Sequence, residues 1–440
     1  MSSPAMAAQA AYTLRGNDAG TMTTAAPALY PHMWSWDAAF VAVGLARLSV
    51  PRAITEMDTL LGAQWGNGMI PHIVFSPGAE GYFPDPARWG TDSAASAPQH
   101  VQTSGICQPP VHAIGVQRIV DASRRGGSAD QKAADDFVDR SWPRLLEWHR
   151  WLAASRDPEE TGRITIHHGW ESGMDNSPRW DAPYSRIVVG TDLPPYVRRD
   201  TQVVEDTTQR PSDVEYDRYL WLVEEMRRVG YDDRLVRETA SFAVEDVFFS
   251  AVFAVACDVL ADLGEDFRKP TAEIEELRAY AARFRSGVTA SLDPATGLAR
   301  DRDVRTGEWL AGETVAGFSS LICGGPSPAH QRRLLDLFDS EDWCGHPSLV
   351  AAVPPSTSPN SPDFRPREYW RGPQWPVVTW LFGWAFARHG WPERAATLRD
   401  ESRYQLSDGL FGEYYEPFTG EALGSIDQSW TAAVALDWLC

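Results

Sequence analysis

The run Trp142-Pro143-Arg144-Leu145-Leu146-Glu147-Trp148-His149-Arg150-Trp151-Leu152 decides the fold class. Its apolar residues recur at three- and four-residue steps and cover a broad face, the pattern of an amphipathic helix rather than the alternation of a strand. The pattern extends over Phe137 to Ala154, and the chain on either side repeats it. Ala39 to Leu48 reads as an apolar helix. Pro51 suits a first helical turn, and Ile54, Met57, Leu60 and Leu61 follow at helical spacing. Pro110 opens another helix over Val111, Ile114, Ile119 and Val120. Tyr216 to Val229, Phe242 to Leu263, Ile274 to Val288, Trp375 to Ala387 and Ser429 to Leu439 continue it, and the whole chain reads as roughly a dozen helices. Only Arg163 to His168 alternates well enough for a short strand. Helices in succession must bury their stripes on one another, so the expected class is all-α. A closed toroid of paired helices does this and leaves a concave mouth where interhelical loops converge. A solenoid is the other solution, but no fixed period divides the sequence.

The 440 residues suffice for a large core, and no Ser/Gly linker or low-complexity block divides them. One domain over 1–440 is expected, with loops inserted at the mouth. The net charge of -20 repels phosphate backbones and argues against nucleic acid. We read no apolar run of about 18 residues, hence no membrane span. Met1 to Thr13 is Ala-rich but lacks the basic start and apolar core of a signal peptide. Cys107, Cys257, Cys323, Cys344 and Cys440 are scattered and odd in number, as expected of buried or free thiols in a reducing cytoplasm. A homodimer or homotetramer stays open. The 19 Trp stand near the number that even usage of all twenty residues would give, more than core filling calls for.

Four segments carry chemistry. Tyr30-Pro31-His32-Met33-Trp34-Ser35-Trp36-Asp37 supplies aromatic faces for the apolar faces of a sugar and a carboxylate for its hydroxyls. The ordinary alternative is a helix start, with Asp37 as its cap and the indoles in the core. Gly169 to Asp181 (GWESGMDNSPRWD) is a shaped loop with three acids, one of which can act as a general acid if kept protonated. The alternative is capping and surface pairing with Arg179. Arg367 to Pro376 (REYWRGPQWP) reads as a binding wall leading into an apolar helix, or as buried Trp at a helix start. Gly412 to Glu421 (GEYYEPFTGE) places Glu413 among aromatics, with Asp427, Gln428 and Trp430 at the next helix start; the alternative for Glu413 is a solvated surface acid. Together the segments offer two carboxylates in aromatic loops, Asp175 and Glu413, and glycoside hydrolysis needs such a pair. Glu171, four residues before Asp175, is a rival acid or a neighbour that tunes it. His167 and His168 point differently on a strand and have no third partner at a metal-binding spacing.

These segments resemble glycoside hydrolase family 63, with weaker echoes of the trehalases. The resemblance runs from Leu14-Arg15-Gly16-Asn17 to the C-terminal SWTAAVALDWL and is carried by YPHMWSWDAAF, NGMIPHIVF, QPPVHAIGVQR, REYWRGPQWP and the two carboxylate segments. Within the family it is nearest the bacterial hydrolases of glucosylglycerate, then those of mannosylglycerate. It implies an (α/α)6 barrel and inverting hydrolysis without metal or cofactor, with Asp175 as general acid and Glu413 as general base. The implied reaction releases glucose and glycerate from 2-O-glucosylglycerate, mobilising a compatible solute. Trp34, Trp36, Asp37, Gln108, Gly173, Tyr369, Trp370, Trp375 and Trp430 would form the sugar subsite. The acceptor is an anion, and Arg210 matches the segment that supplies a guanidinium for it. Tyr30, His72, Tyr82, Tyr216 and Gln428 are its companions from matching segments. For Arg210 the alternative is a surface ion pair, and for His72 a neutral core histidine. Mannosylglycerate as substrate and a non-catalytic carbohydrate-binding protein are the competing functions.

Two expectations remain. Ser76 to His100 and Asp181 to Ser212 are Gly- and Pro-rich and long enough to be mobile covers, the second carrying Arg210. The indoles divide: Trp148, Trp151, Trp221, Trp380, Trp384 and Trp438 lie on helices and pack, whereas Trp34, Trp36, Trp370, Trp375 and Trp430 meet the sugar.

Overall fold

The computed structural model describes residues 1–79, 81–203 and 206–439. Twelve helices among them form a closed double ring. In chain order they are α1 (Ser3–Gly16), α2 (Ser35–Leu48), α3 (Val50–Gly62), α4 (His112–Ser123), α5 (Ser128–Ser155), α6 (Val247–Asp266), α7 (Thr271–Ala290), α8 (Ser319–Cys323), α9 (Pro328–Phe338), α10 (Pro376–Arg388), α11 (Pro392–Gln405) and α12 (Ser429–Leu439). The even-numbered helices make the inner ring, each packed on the next, with α12 returning to α2. Each odd-numbered helix lies outside an inner one: α3 on α2, α5 on α4, α7 on α6, α9 on α8, α11 on α10 and α1 on α12. This is the (α/α)6 toroid, all-α as expected, and the ring closes where a solenoid would stay open.

Composition sorts the two rings. On α6 every residue from Val247 to Leu260 is buried except Asp258, and a helix apolar on all sides belongs inside. The sequence reading found no run long and apolar enough for a membrane, and α6 corrects it: by length and composition it qualifies. Its apolar surface is covered by the ring, with 89% of the most apolar window buried. The outer α5 is amphipathic. Trp142, Leu145, Leu146, Trp148, Trp151 and Leu152 are buried, while Pro143, Arg144 and Glu147 face solvent. The ring closes tightly at Gly44 of α2, where a Cβ would stand 2.4 Å from the Cα of Ala433 on α12, so no side chain fits. Asn17 joins α1 to the start of α12, donating to Asp427 O and Ser429 Oγ, both at 2.8 Å.

Short antiparallel strands pin the connecting loops: β1 (Met33–Trp34) with β2 (Ile73–Val74), β3 (Ile164–Ile166) with β4 (Val244–Asp246) and then β5 (Arg302–Asp303), and β6 (Tyr414–Tyr415) with β7 (Ala422–Leu423). The strand expected near residue 165 is β3. The helix expected from Phe242 starts later, because Val244–Asp246 pairs with two strands. Asp246 then caps α6, accepting the N–H groups of Phe248 at 2.8 Å and Phe249 at 3.1 Å. Pro110 stands two residues before α4 rather than opening it. Trp375 is the N-cap of α10, and Pro376 takes the first turn.

Candidate active site

The site lies where the inner helices begin. Asp37 is in the first turn of α2, Gln108 just precedes α4, Tyr369 and Trp370 precede α10, and Gln428 and Trp430 frame the start of α12. These residues line one cavity of about 260 Å³, together with Asp175 and Glu413. Helix N-termini present partial positive charge, a favourable setting for a cluster of carboxylates.

Asp37 does not cap α2: the N-cap is Trp34, with no side-chain hydrogen bond, and the Asp37 carboxyl faces the cavity. Burial, reinforced by Glu413 and Asp175, pushes it well above the usual range. Trp36 is fixed beneath it. The indole meets Trp430 edge-on at 5.6 Å, and its backbone N–H donates to Gln108 Oε1 at 3.2 Å. Gly173 lies against that indole with φ +70°, and a Cβ there would come within 2.6 Å of the ring, so glycine is required on both counts.

Asp175 follows a one-turn helix, Gly169–Ser172. The loop is held from below: Trp180 Nε1 donates to Met174 O at 2.9 Å, and Asn176 Oδ1 accepts the N–H of Trp370 at 2.9 Å. Burial pushes the Asp175 carboxyl up to about 7; Arg210 opposes this and Glu413 adds to it. An acid at that value holds its proton near neutrality and can still release it.

Glu413 is different. Only 2% of it is exposed, so it is no solvated surface acid. Its Oε1 accepts the hydroxyls of Tyr30 at 3.1 Å and Tyr369 at 3.2 Å, and Oε2 accepts the Ser425 N–H at 3.2 Å. Burial raises its pKa, while Arg210 and these donors favour the ionised form. Arg210 is part of the same network: Nη1 donates to Tyr30 Oη at 3.0 Å, Nε donates to Asp200 at 3.3 Å, and the guanidinium lies over the Tyr369 ring at 4.4 Å. Burial works against its charge, but Tyr30, Tyr369, Asp200 and Glu413 outweigh it. The surface pair expected as the alternative for Arg210 exists as a buried one.

Glu171 stands apart from the cavity. Arg156 donates to both its oxygens, at 2.6 and 3.0 Å, and the N–H of His167 reaches it at 2.6 Å, all in the protein interior. It shapes the loop and does not line the cavity. Arg179 is not at the surface either; it is buried between Asp246 and Asp301, 3.1 Å from each. His168 bonds Tyr219 O and the N–H of Trp170, both at 3.0 Å, and His167 lies near Phe242 O, so both histidines are spent on backbone.

Tyr30, Trp34, His72, Tyr82, Tyr216 and Gln428 also line the cavity. Burial drives His72 down to about 3, so it is neutral as its alternative reading held, yet it stands at the wall. Trp375 is the exception. It lies behind Trp370, ring centroids 3.6 Å apart, and does not reach the cavity. Trp170, Tyr219, Arg199 and Asp200 also line the cavity, though none of them was expected there. Trp170 stood inside a segment already singled out. Nothing in the sequence around Asp200 signals its place. Both long loops reach the cavity, the first through Gly81 to Pro84 and the second through Asp200 and Arg210. Glu80 of the first and Val204 and Glu205 of the second lie outside the described residues, as does Cys440.

A family model, the mannosylglycerate hydrolase MGH1-like glycoside hydrolase domain, matches residues 30–431. The chain belongs to the MGH1-like glycoside hydrolases. This glycosidase is 62% identical over 435 residues to the glucosylglycerate hydrolase of Mycolicibacterium hassiacum, covering 99% of this chain and 97% of that protein. It also matches two crystal structures of a GH63 mannosylglycerate hydrolase from Thermus thermophilus. The complex of that protein with Tris and D-glycerate gives a TM-score of 0.89 and the complex with glucose 0.86, each at 38% identity over 98% of this chain and 99% of the other.

Proposed function

We propose that this glycosidase hydrolyses 2-O-glucosylglycerate to glucose and glycerate with inversion at the anomeric carbon. The observation that carries the reading is the contrast between two carboxyls in one cavity. Burial raises both carboxyls, but Asp175 is pushed up to about 7, whereas Glu413 is surrounded by donors that favour its ionised form. That difference in surroundings supports Asp175 as acid and Glu413 as base. Asp175 gives its proton to the glycosidic oxygen as the bond to the anomeric carbon breaks. A water attacks that carbon from the opposite face and passes a proton to Glu413. The high identity to the Mycolicibacterium enzyme supports the gluco substrate, and the glycerate and glucose complexes of the Thermus protein support an acceptor end and a sugar end. Arg210, the buried cation of the cavity, takes the acceptor carboxylate in this reading.

The test is a hydrolysis panel of glucosylglycerate, mannosylglycerate, glucosylglycerol and trehalose, with NMR of the first-formed sugar. Glucosylglycerate should be the preferred substrate and β-glucose the first anomer. Preference for mannosylglycerate would transfer the assignment to that substrate, and α-glucose appearing first would exclude inversion. We further propose a cytoplasmic location, which the buried free thiols of Cys107, Cys257, Cys323 and Cys344 support as in keeping with a reducing compartment.

A further inference from the structure

Arg210 shares its end of the cavity with an anion. Its Nε donates to Asp200 Oδ2 at 3.3 Å, and a carboxylate there opposes the very charge that an acceptor carboxylate has to find. Arg198 removes the conflict. It grips Asp200 with two teeth, Nε to Oδ1 at 3.0 Å and Nη2 to Oδ2 at 2.6 Å. Its Nη1 is tied to Pro211 O at 2.6 Å, next to Arg210 in the chain, and its guanidinium lies over the Tyr216 ring at 4.6 Å. The side chains of Arg198 and Asp200 are only 8% and 10% exposed, so solvent and salt screen this pair weakly. Asp213 also meets Arg198, at 3.0 Å, but is 87% exposed and counts for little. Asp200 and Arg210 line the cavity, and Arg198 stands behind them. Burial pushes the Asp200 carboxyl up, but the two guanidiniums outweigh it, and Asp200 stays ionised. One negative charge between two positive ones leaves this trio net positive, and the exposed Arg199 lines the cavity beside it.

We infer that Arg198 is a positioning residue for the anionic end of the substrate: by neutralising Asp200 it frees the charge of Arg210 for the acceptor carboxylate. The inference rests on the proposed role of Arg210, and the test separates the two. Inhibition constants of D-glycerate and of glucose are measured on the whole enzyme and on Arg198→Met, Arg198→Lys, Asp200→Asn, the double variant Arg198→Met/Asp200→Asn, and Arg210→Met. Arg198→Met should weaken D-glycerate about tenfold, the scale of one charge-assisted contact, and glucose less than about twofold. Arg198→Lys should keep most of the D-glycerate affinity. In the double variant Asp200 no longer opposes the charge of Arg210, and the Glu413 contribution is the same as in the parent, so D-glycerate should return to within about threefold of the parent. Equal weakening of both ligands in Arg198→Met, or a double variant weaker than Arg198→Met, overturns the inference. If Arg210→Met leaves D-glycerate unchanged, the role of Arg210 fails first and takes the inference with it. If Arg210→Met weakens D-glycerate and Arg198→Met does not, only the inference falls.

Discussion

Trp375 lies flat against Trp370, with 3.6 Å between ring centroids and 3° between planes. Trp370 faces the cavity and Trp375 backs it, so the pair is one platform with one working side. Trp375 is also boxed by Tyr414 at 4.7 Å and Trp430 at 5.9 Å. Trp375→Ala should cost roughly 3–5 kcal/mol by urea denaturation, the range for a large aromatic removed from a core. The variant that still folds should show a raised KM, since Trp370 loses the surface that holds its plane. An unchanged urea midpoint would count against this supporting role.

The proposed roles set the pH profile. If Asp175 is the acid it must carry its proton, and burial pushes its carboxyl up to about 7, so kcat/KM should fall tenfold per unit above that pH. Glu413 must be ionised, and burial raises it, so the acid limb should start above the ordinary glutamate value of 4.5. Asp175→Asn should lower kcat by about 10²–10⁴. Stability gives a second readout. A carboxyl raised in the folded state favours folding below its ordinary 3.8, and that contribution is lost as pH rises through about 7. Between pH 4 and pH 8 Asp175→Asn should therefore gain stability relative to the parent. A gain in the opposite direction would contradict the raised carboxyl.

Glu171 and Asp175 should fail in opposite ways. Glu171→Gln leaves Arg156 without its partner in the interior, at a cost of about 3–5 kcal/mol. Thermal melting should fall sharply while the folded fraction keeps turnover. Asp175→Asn should melt no lower than the parent and lose turnover. If Glu171→Gln abolished activity without a change in melting, the acid would have to be reassigned.

The rings and the two carboxylates were legible because their signals are local. Helical spacing in the run from Trp142 to Leu152 separates buried from exposed residues along α5, and the loops around Asp175 and Glu413 stand out by their aromatics. What stayed hidden depends on partners far along the chain. Arg179 reads as a surface residue beside local acids, but its partners are Asp246 and Asp301, 67 and 122 residues away. Val244–Asp246 looks like the start of an apolar helix until β3 and β5 flank it. Trp375 and Trp370 are alike in sequence, and only stacking order tells which one is in front. Asp200 sits in a charged loop whose pattern gives no hint that two arginines converge on it.

The thiols supply a simple check on packing. Burial pushes Cys107 and Cys257 well above the usual range, and takes Cys323 up to about 12. Together with Cys344 they should resist a thiol reagent in the native protein and react together on unfolding. Reaction of any of the four ahead of global unfolding would reveal a local opening.

The cavity is assembled from the two extremes of the ring. Tyr30 and Glu413, in direct contact, are 383 residues apart in the chain, and Trp36 of α2 meets Trp430 of α12. On the ribosome, at about 5–20 residues per second, roughly 20–80 s separate the synthesis of the two partners. For that interval the apolar inner helices have a gap in their circle, and on the proposed assignment the half-built enzyme holds an acid without its base. On that assignment nascent chains have no hydrolytic activity to misdirect, and their vulnerable surface is the open seam that α12 will fill.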